Sequence, residues 1–339
     1  MTANHRPPTS VDVARRAGVS RTTVSYVLNG TPNQRISPET RERVLAAAHE
    51  LNYYVHPSAR ALRKGQNDDI YFILDHSMTL FLSTLTSELQ LRAQEKGYTL
   101  AVYFNNASSE EDRRAFLWRL FSQRPLGIIA FPGSITEEDL EHAKSRGAGP
   151  CVFVSDWGVK YAPSVQFGAV EIGRLIAQHL LERGHRHIGV IAPQNVHQAY
   201  SVPRRLAGMR SVFENVHAHN LQILPIADTT LAEARRVAEQ LAQAPSRPTA
   251  IYGFNDEYCF HLLRALREQG LRVPEDIALV GADDTSFCEL STPSLTSVRF
   301  DVKGIGRNLI DCVDRLANGE VEFQLELVEP PVLVPRESS

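Results

Sequence analysis

Arg21, Thr22, Ser25, Tyr26 and Asn29 recur at a spacing that puts them on one face of a helix, and Thr23 adds a further hydroxyl. An arginine and a threonine at a helix start can reach base edges in a DNA major groove, with Tyr26 one turn later. Serine and threonine hydroxyls, with backbone N–H groups, can hold phosphates. The same face would also serve as the solvated side of a small helical bundle. A second set of chemically able residues lies later in the chain, each group following an apolar run. It comprises Asp75 to Phe81, Asp156 and Trp157, Asn195 to Ser201, Asn255 and Asp256, and Asp283 and Asp284, with Arg205 just beyond Ser201. Ligands in open α/β sheets sit beyond the carboxyl ends of strands, so these are the binding candidates. An arginine facing carboxylates and amides beside aromatic rings suits a small polar molecule with several hydroxyls. Phe81 or Trp157 would stack on a sugar face, and Arg205 with Asp283 would bind vicinal hydroxyls. Plainer roles compete. Asp256 and Asp283 also suit helix caps, Arg205 a structural pair with Asp283, and Trp157 ordinary packing.

Catalytic and metal signatures are weak. His185 and His187 in RGHRH lack a Cys or carboxylate at ligand spacing and read as a solvated helix end. Gly304 and Gly306 lack the third glycine of a dinucleotide fingerprint, and no phosphate loop or Gly-x-Ser-x-Gly elbow occurs. Asp75, His76 and Ser77 are adjacent, which is not a triad geometry. No catalytic residue, metal or cofactor is therefore expected. Cys151, Cys259, Cys288 and Cys312 are scattered and read as reduced thiols. With no membrane-length apolar run and no apolar stretch at the start, the expected location is the cytoplasm.

The elements that must position the first set lie in a basic head. The whole chain of 339 residues carries a formal charge of -3, which argues against a polyanion partner. Residues 1–65, however, hold 10 Lys/Arg against 4 Asp/Glu, a net of +6, and the remainder holds 26 against 35, a net of -9. In the head, Thr9 or Ser10 caps a first helix that Gly18 ends. Ser20 caps a second with Val24, Val27 and Leu28 inward. Ser37 and Pro38 open a third with Val44, Leu45, Ala48 and Leu51 inward. Two short helices joined by a tight glycine turn, then a third, follow the helix-turn-helix plan.

Beyond Asn67, apolar runs alternate with helical stretches. The runs DIYFIL, TLAVYF, LGIIAF, CVFVS, HIGVIA, TAIYGF and IALVGA read as buried parallel strands, and SVRF and VEFQLELV as shorter late ones. Helices are expected over 84–96, 111–121, 137–145, 169–183, 206–213, 231–243, 257–269 and 303–317. This alternation predicts doubly wound α/β units, too many strands for one core, and so two subdomains with a cleft between them.

VDVARRAGVSRTTVSYVLNG, SPETRERVLAAAHELNY and ARALR together resemble the DNA-binding head of the LacI/GalR family of bacterial transcription regulators. EKGYTLAVY, VFVSDWG, LLERGHRHIGVIA, RRLAGM, RPTAIYGFND, LRVPEDIALVGADD and TPSLTSVRFD resemble that family's effector domain, in order. The resemblance implies an all-α helix-turn-helix head at 1–54, a hinge helix and linker at 55–67, and an effector-binding and dimerisation domain at 68–337. That domain would be periplasmic-binding-protein-like, with lobe 1 at about 68–162 plus 292–321 and lobe 2 at about 163–291 plus 322–337, crossing near Pro163, Ser291 and Val321. Arg21, Thr22 and Tyr26 would occupy the main base-reading positions. Leu62 would wedge into the minor groove beside the small Ala59 and Ala61, although ordinary packing between domains also suits Leu62. Effector contacts would fall at Phe81, Asp156, Ser201, Arg205, Asn255 and Asp283. Two departures stand out: Pro57 comes two residues later than the family's proline, and Phe167–Gly168 replaces its usual Asp-Asn.

The implied function is an effector-switched repressor, a homodimer on near-palindromic double-stranded operator DNA. A sugar or sugar derivative is the first-ranked effector and a nucleoside or purine the second. A sugar-binding or sugar-processing α/β enzyme with an unrelated basic head is the alternative, which turnover of a bound molecule would reveal. A third possibility, a head that meets another protein, would show a head surface lacking a continuous basic stripe.

Overall fold

The computed structural model describes residues 8–28, 34–53, 65–75, 78–107, 109–155, 159–194, 196–199, 201–214, 216, 219–321 and 328–339. The chain divides into two compact units, Met1–Asn67 and Asp68–Ser339.

In the first unit, helices α1 (Ser10–Ala17), α2 (Arg21–Leu28) and α3 (Pro38–Glu50) pack together. Each start is fixed by a hydroxyl. Thr9 forms a capping box with Asp12, Ser20 Oγ accepts from Thr23 N at 3.0 Å, and Ser37 Oγ accepts from Thr40 N at 3.2 Å. Gly18, at φ 66°, takes the left-handed turn that ends α1 and aims α2. Val13, Ala14, Ala17, Val24, Val27, Val44, Ala47 and Ala48 form the common core. Leu45 is a correction: it is 49% exposed, because the buried face of α3 runs through Val44, Ala47 and Ala48, and Ala47 rather than Leu45 continues that helical period.

In the second unit the order is β1 (Asp69–Leu74), α4 (Leu80–Glu95), β2 (Thr99–Phe104), α5 (Glu110–Phe121), β3 (Gly127–Ala130), α6 (Glu137–Ser145), β4 (Cys151–Val154) and β5 (Ser164–Val165). Next come α7 (Ala169–Glu182), β6 (His187–Pro193), α8 (Val196–Ala199), α9 (Val202–Phe213), β7 (Asn220–Ile226), α10 (Leu231–Gln243), β8 (Ala250–Tyr252), α11 (Asp256–Glu268) and β9 (Ala278–Ala282). The last elements are a 3₁₀ turn at Ser286–Cys288, β10 (Thr296–Arg299), α12 (Val302–Ala317) and β11 (Val332–Val334). One sheet runs β2-β1-β3-β4-β5 and the other β11-β10-β9-β8-β6-β7. All pairs are parallel except β10 with β11. The two lobes of parallel sheet match the expected fold class.

The lobe boundaries need correction. β10 pairs with β9, so Thr296–Arg299 belongs to the second sheet, and the crossing falls after Arg299 instead of near Ser291. β5 pairs with β4, which extends the first sheet to Val165. The strand expected in VEFQLELV falls largely on 322–327, outside the described residues. β5, β7 and β11 were not expected. α4 starts four residues early because Thr79 Oγ1 accepts from Leu82 N at 3.2 Å. α9 also starts four residues early, with Pro203 in its first turn. His187 opens β6 and meets Gln222, so RGHRH is not simply a helix end.

Two glycines set the depth at which α9 sits. A Cβ at Gly173 would stand 1.9 Å from the Arg205 carbonyl oxygen, and one at Gly208 would stand 1.9 Å from that of Val170. α7 and α9 therefore touch backbone to backbone, and this contact seats Arg205. Overpacking costs about 1–3 kcal/mol in ordinary cores, and here the obstacle is backbone. Gly173→Ala is expected to lower the unfolding free energy of the second unit by at least that much, read as a lower denaturant midpoint, without changing the melting of the head in the same chain. An unchanged midpoint would show that the helices can part freely.

Candidate functional sites

The first site is the outward face of α2. Arg21 and Thr22 are exposed, and Thr23, Ser25 and Tyr26 are half-buried, while Val24 and Val27 anchor the opposite face. The Thr23 hydroxyl lies 2.9 Å from Ser20 Oγ and joins the helix cap. Asn29, Ala59 and Leu62, and the hinge around Pro57, lie outside the described residues.

The second site lies between the two sheets. In each sheet the strand order reverses, between β1 and β3 in one and between β6 and β8 in the other. Chains leaving neighbouring strands there turn to opposite faces, which opens a crevice at the strand ends. A cavity with about 570 Å³ of empty space, part of it open to solvent, occupies this position. The first lobe contributes Thr79, Phe81 and Leu82 after β1 and Phe131 after β3. Phe167 follows β5. The second lobe contributes Gln198, Ser201 and Arg205 after β6, Phe254 and Asn255 after β8, Asp283 after β9 and Phe300 after β10.

The cavity thus gathers Phe81, Ser201, Arg205, Asn255 and Asp283, all candidates read from the sequence. Asp156 and Trp157 lie outside the described residues. Thr79 and Gln198 also line the cavity and fall within the candidate stretches Asp75 to Phe81 and Asn195 to Ser201, whereas Leu82, Phe131, Phe167, Phe254 and Phe300 were missed as site residues. Phe131, Phe254 and Phe300 close the runs LGIIAF, TAIYGF and SVRF, so the strand-end rule would have found them had apolar residues been admitted. Phe81 and Phe167 both meet Phe300 edge-on, with ring centroids 6.0 and 6.3 Å away. These rings form an apolar cluster within the lining.

Arg205 is 6% exposed. Its Nη1 donates to the Tyr252 hydroxyl and to the Phe254 carbonyl, and its guanidinium carbon lies 4.4 Å from the Phe254 ring centre. Burial pushes the Tyr252 phenol up to about 12, against the opposing pull of Arg205. Asn255 serves as a cap: its Oδ1 accepts from Tyr258 N at 3.2 Å at the start of α11. Asp256 is not that cap. It is fully buried, accepting from Ser297 Oγ at 2.6 Å, Thr285 N at 2.7 Å and Cys288 Sγ at 3.0 Å.

Burial raises the Asp283 carboxyl well above the ordinary range, the charge of Asp256 adds to this, and Arg205 opposes it. Burial also raises Asp256, but its hydrogen bonds pull it back down. Two neighbouring carboxylates resist double ionisation, and the strongly raised Asp283 carboxyl is the one expected to keep a proton. A carboxyl whose folded pKa is raised contributes stability that is complete below its ordinary value of 3.8 and is lost as pH rises through the folded value. Asp283→Asn mimics the protonated acid at every pH. It is expected to melt above the wild-type protein at pH 7, with the gap closing by about pH 4. An equal gap at both pH values would contradict a protonated Asp283.

Comparison with known proteins follows this division of the chain. Residues 10–56 match the family model described as bacterial regulatory proteins, lacI family, and residues 177–339 match the periplasmic binding protein-like domain. The chain is 30% identical over 325 residues to the HTH-type transcriptional repressor PurR of Vibrio atlanticus (strain LGP32), covering 95% of this chain and 96% of the relative. It is 31% identical over 329 residues to the HTH-type transcriptional repressor PurR of Escherichia coli O139:H28, covering 96% and 95%. Among solved structures, the lac repressor dimer bound to operator and the anti-inducer ONPF is similar at a TM-score of 0.82 and 28% identity, covering 98% of this chain and 99% of that one. The CelR transcriptional regulator–cellobiose complex is similar at a TM-score of 0.68 and 26% identity, covering 98% and 100%. The relatives are repressors, not enzymes.

Proposed function

The chain belongs to the lacI family of bacterial regulatory proteins, as a DNA-binding transcription repressor with an effector domain, and we propose that a small sugar or sugar derivative in the interlobe cavity switches its affinity for an operator. The observation that carries this reading is the cavity itself. Arg205, Asn255, Ser201 and Asp283 offer donors and acceptors, and Phe81, Phe131, Phe167, Phe254 and Phe300 line the same cavity. Hydroxyls would meet the polar groups, and the C–H face of a ring would lie on the phenylalanines. A protonated Asp283 would donate a hydrogen bond to a neutral hydroxyl. A second reading, a flat heteroaromatic such as a nucleoside or purine, draws support from the number of phenylalanine faces.

Arg21, Thr22 and Tyr26 are the proposed base readers, with Thr23, Ser25 and Asn29 on the backbone and Ala59 and Leu62 in the minor groove. The repressor would act as a homodimer on a near-palindrome in the cytoplasm, each head reading one half-site. Exposed Leu91, Ile223, Phe287 and Leu290 on the effector domain are apolar surface that pairing would cover. No described helix is long and apolar enough to cross a membrane. A ligand that binds the closed lobes better in one DNA-binding state shifts operator affinity, and operator must shift ligand affinity by the same factor.

Two experiments test this reading. Selection from a random duplex pool should return a near-palindrome, and its log affinity should fall by roughly 0.9 per phosphate contact per log unit of salt. Arg21→Ala should change the selected sequence more than it changes non-specific binding. Binding that survives removal of residues 1–64 would overturn the assignment. In a thermal-shift screen of sugars, sugar acids, polyols and nucleosides, a true effector should raise the melting temperature with concentration. Arg205→Ala should abolish that rise; an intact response would place the site elsewhere.

A further inference from the structure

α4 belongs to the first lobe, yet its start is held by the second. The N–H of Leu80, first residue of the helix, has no intrahelical acceptor. It donates to Glu257 Oε1 at 2.7 Å, between residues 177 positions apart. Thr79 Oγ1 takes Leu82 N in the same turn, so two side chains from two lobes share the capping of α4. A carboxylate is the favoured partner there, since the helix dipole presents positive charge at that end. Both ends of this bond adjoin the cavity. Phe81, next to Leu80, forms its first-lobe wall, and Asn255, two residues before Glu257, forms part of the second-lobe wall. The Glu257 charge also reaches Asp283 and adds slightly to the rise that burial imposes on that carboxyl. Glu257 itself is not among the cavity-lining residues.

We propose that Glu257 is a positioning residue for the effector cavity: by capping α4 across the cleft it holds Phe81 over the site, and the lobes part only when this bond breaks. The role deepens the effector-cavity reading, but it concerns the chain without ligand and is tested there.

The measurement is hydrogen–deuterium exchange on the full chain with no ligand added. Glu257→Ala is expected to speed exchange at the Leu80 amide by about tenfold or more, the scale of a hydrogen bond to a charged acceptor. It should also speed exchange in the cavity segments of both lobes, 79–82, 198–205 and 254–255, while β7 and the head helices keep wild-type rates. Glu257→Gln retains an acceptor oxygen on a side chain of the same length and should restore most of the protection. A rise confined to the first turn of α4 would overturn the proposal by showing a local cap and nothing more. A Gln variant as fast as the Ala variant would overturn it as well, because the bond to Leu80 would then not be what holds the lobes. Failure of the sugar screen would leave both results standing, so the two readings can fail separately.

Discussion

A buried cation must be compensated, and the guanidinium of Arg205 is the cation around which the cleft is built. Removing an ion from water costs several kcal/mol even after relaxation. Here the compensation includes the Tyr252 hydroxyl, the Phe254 carbonyl and the Phe254 ring face. That requirement shapes the surrounding backbone. Phe254 takes φ 65° and so presents both its carbonyl and its ring to Arg205. A bulky residue in the left-handed region is uncommon and strained, and persists where its surroundings over-determine it. Tyr252 adds its own hydrogen bond to the same carbonyl at 2.9 Å.

The opposite side of the site carries comparable constraint. Asp283 and Asp284 both have positive φ, 109° and 47°. Asp283 N donates to the Val298 carbonyl and Asp284 N to Ser297 Oγ, which pins the turn to β10. Asp284 pairs with Arg336 at 2.7 Å, both side chains mostly buried, and Arg336 also donates to the Leu295 carbonyl. Asp256 reaches the same turn through Thr285 and the same strand through Ser297. The polar groups of the cavity are thus fixed before any ligand arrives, which lowers the ordering cost of binding.

Much of this was legible in the sequence, because the informative signals are local. Hydroxyls at Thr9, Ser20 and Ser37 mark the head helices, and apolar runs mark the central strands. The rule that ligands bind at strand ends brought Phe81, Ser201, Arg205, Asn255 and Asp283 to one place. What escaped notice depends on distant partners. β7 is an edge strand containing Pro225 and exposed positions, so it lacks the unbroken apolar run of a buried strand. β10 joins the second sheet only through its pairing with β9, which leaves no mark in its own residues. The phenylalanines of the cavity read as strand interior, since nothing local separates a ring facing a core from one facing a ligand. The two glycines between α7 and α9 likewise acquire meaning only when the helices are brought together.

The first-lobe side of the cavity is tied into one block by linked contacts between two helices. α4 begins at the cavity with Phe81, and α12 begins just after Phe300. Arg92 meets Asp311 at 2.9 Å, Lys96 meets Asp311 at 3.1 Å and Asp314 at 2.7 Å, and the Tyr98 hydroxyl donates to Asp314 at 2.6 Å. These contacts are half-buried and interlinked, unlike isolated surface pairs that contribute little. At Gly306 the helices approach closely, since a Cβ there would stand 3.0 Å from the Glu88 Cβ. A displacement of either aromatic ring that reached its helix would therefore be shared by both helices, because packed elements shift between discrete arrangements more readily than they deform. Occupancy of the cavity between the lobes would in this way become a rigid shift of a whole helix pair, the kind of motion that can carry a signal beyond the site.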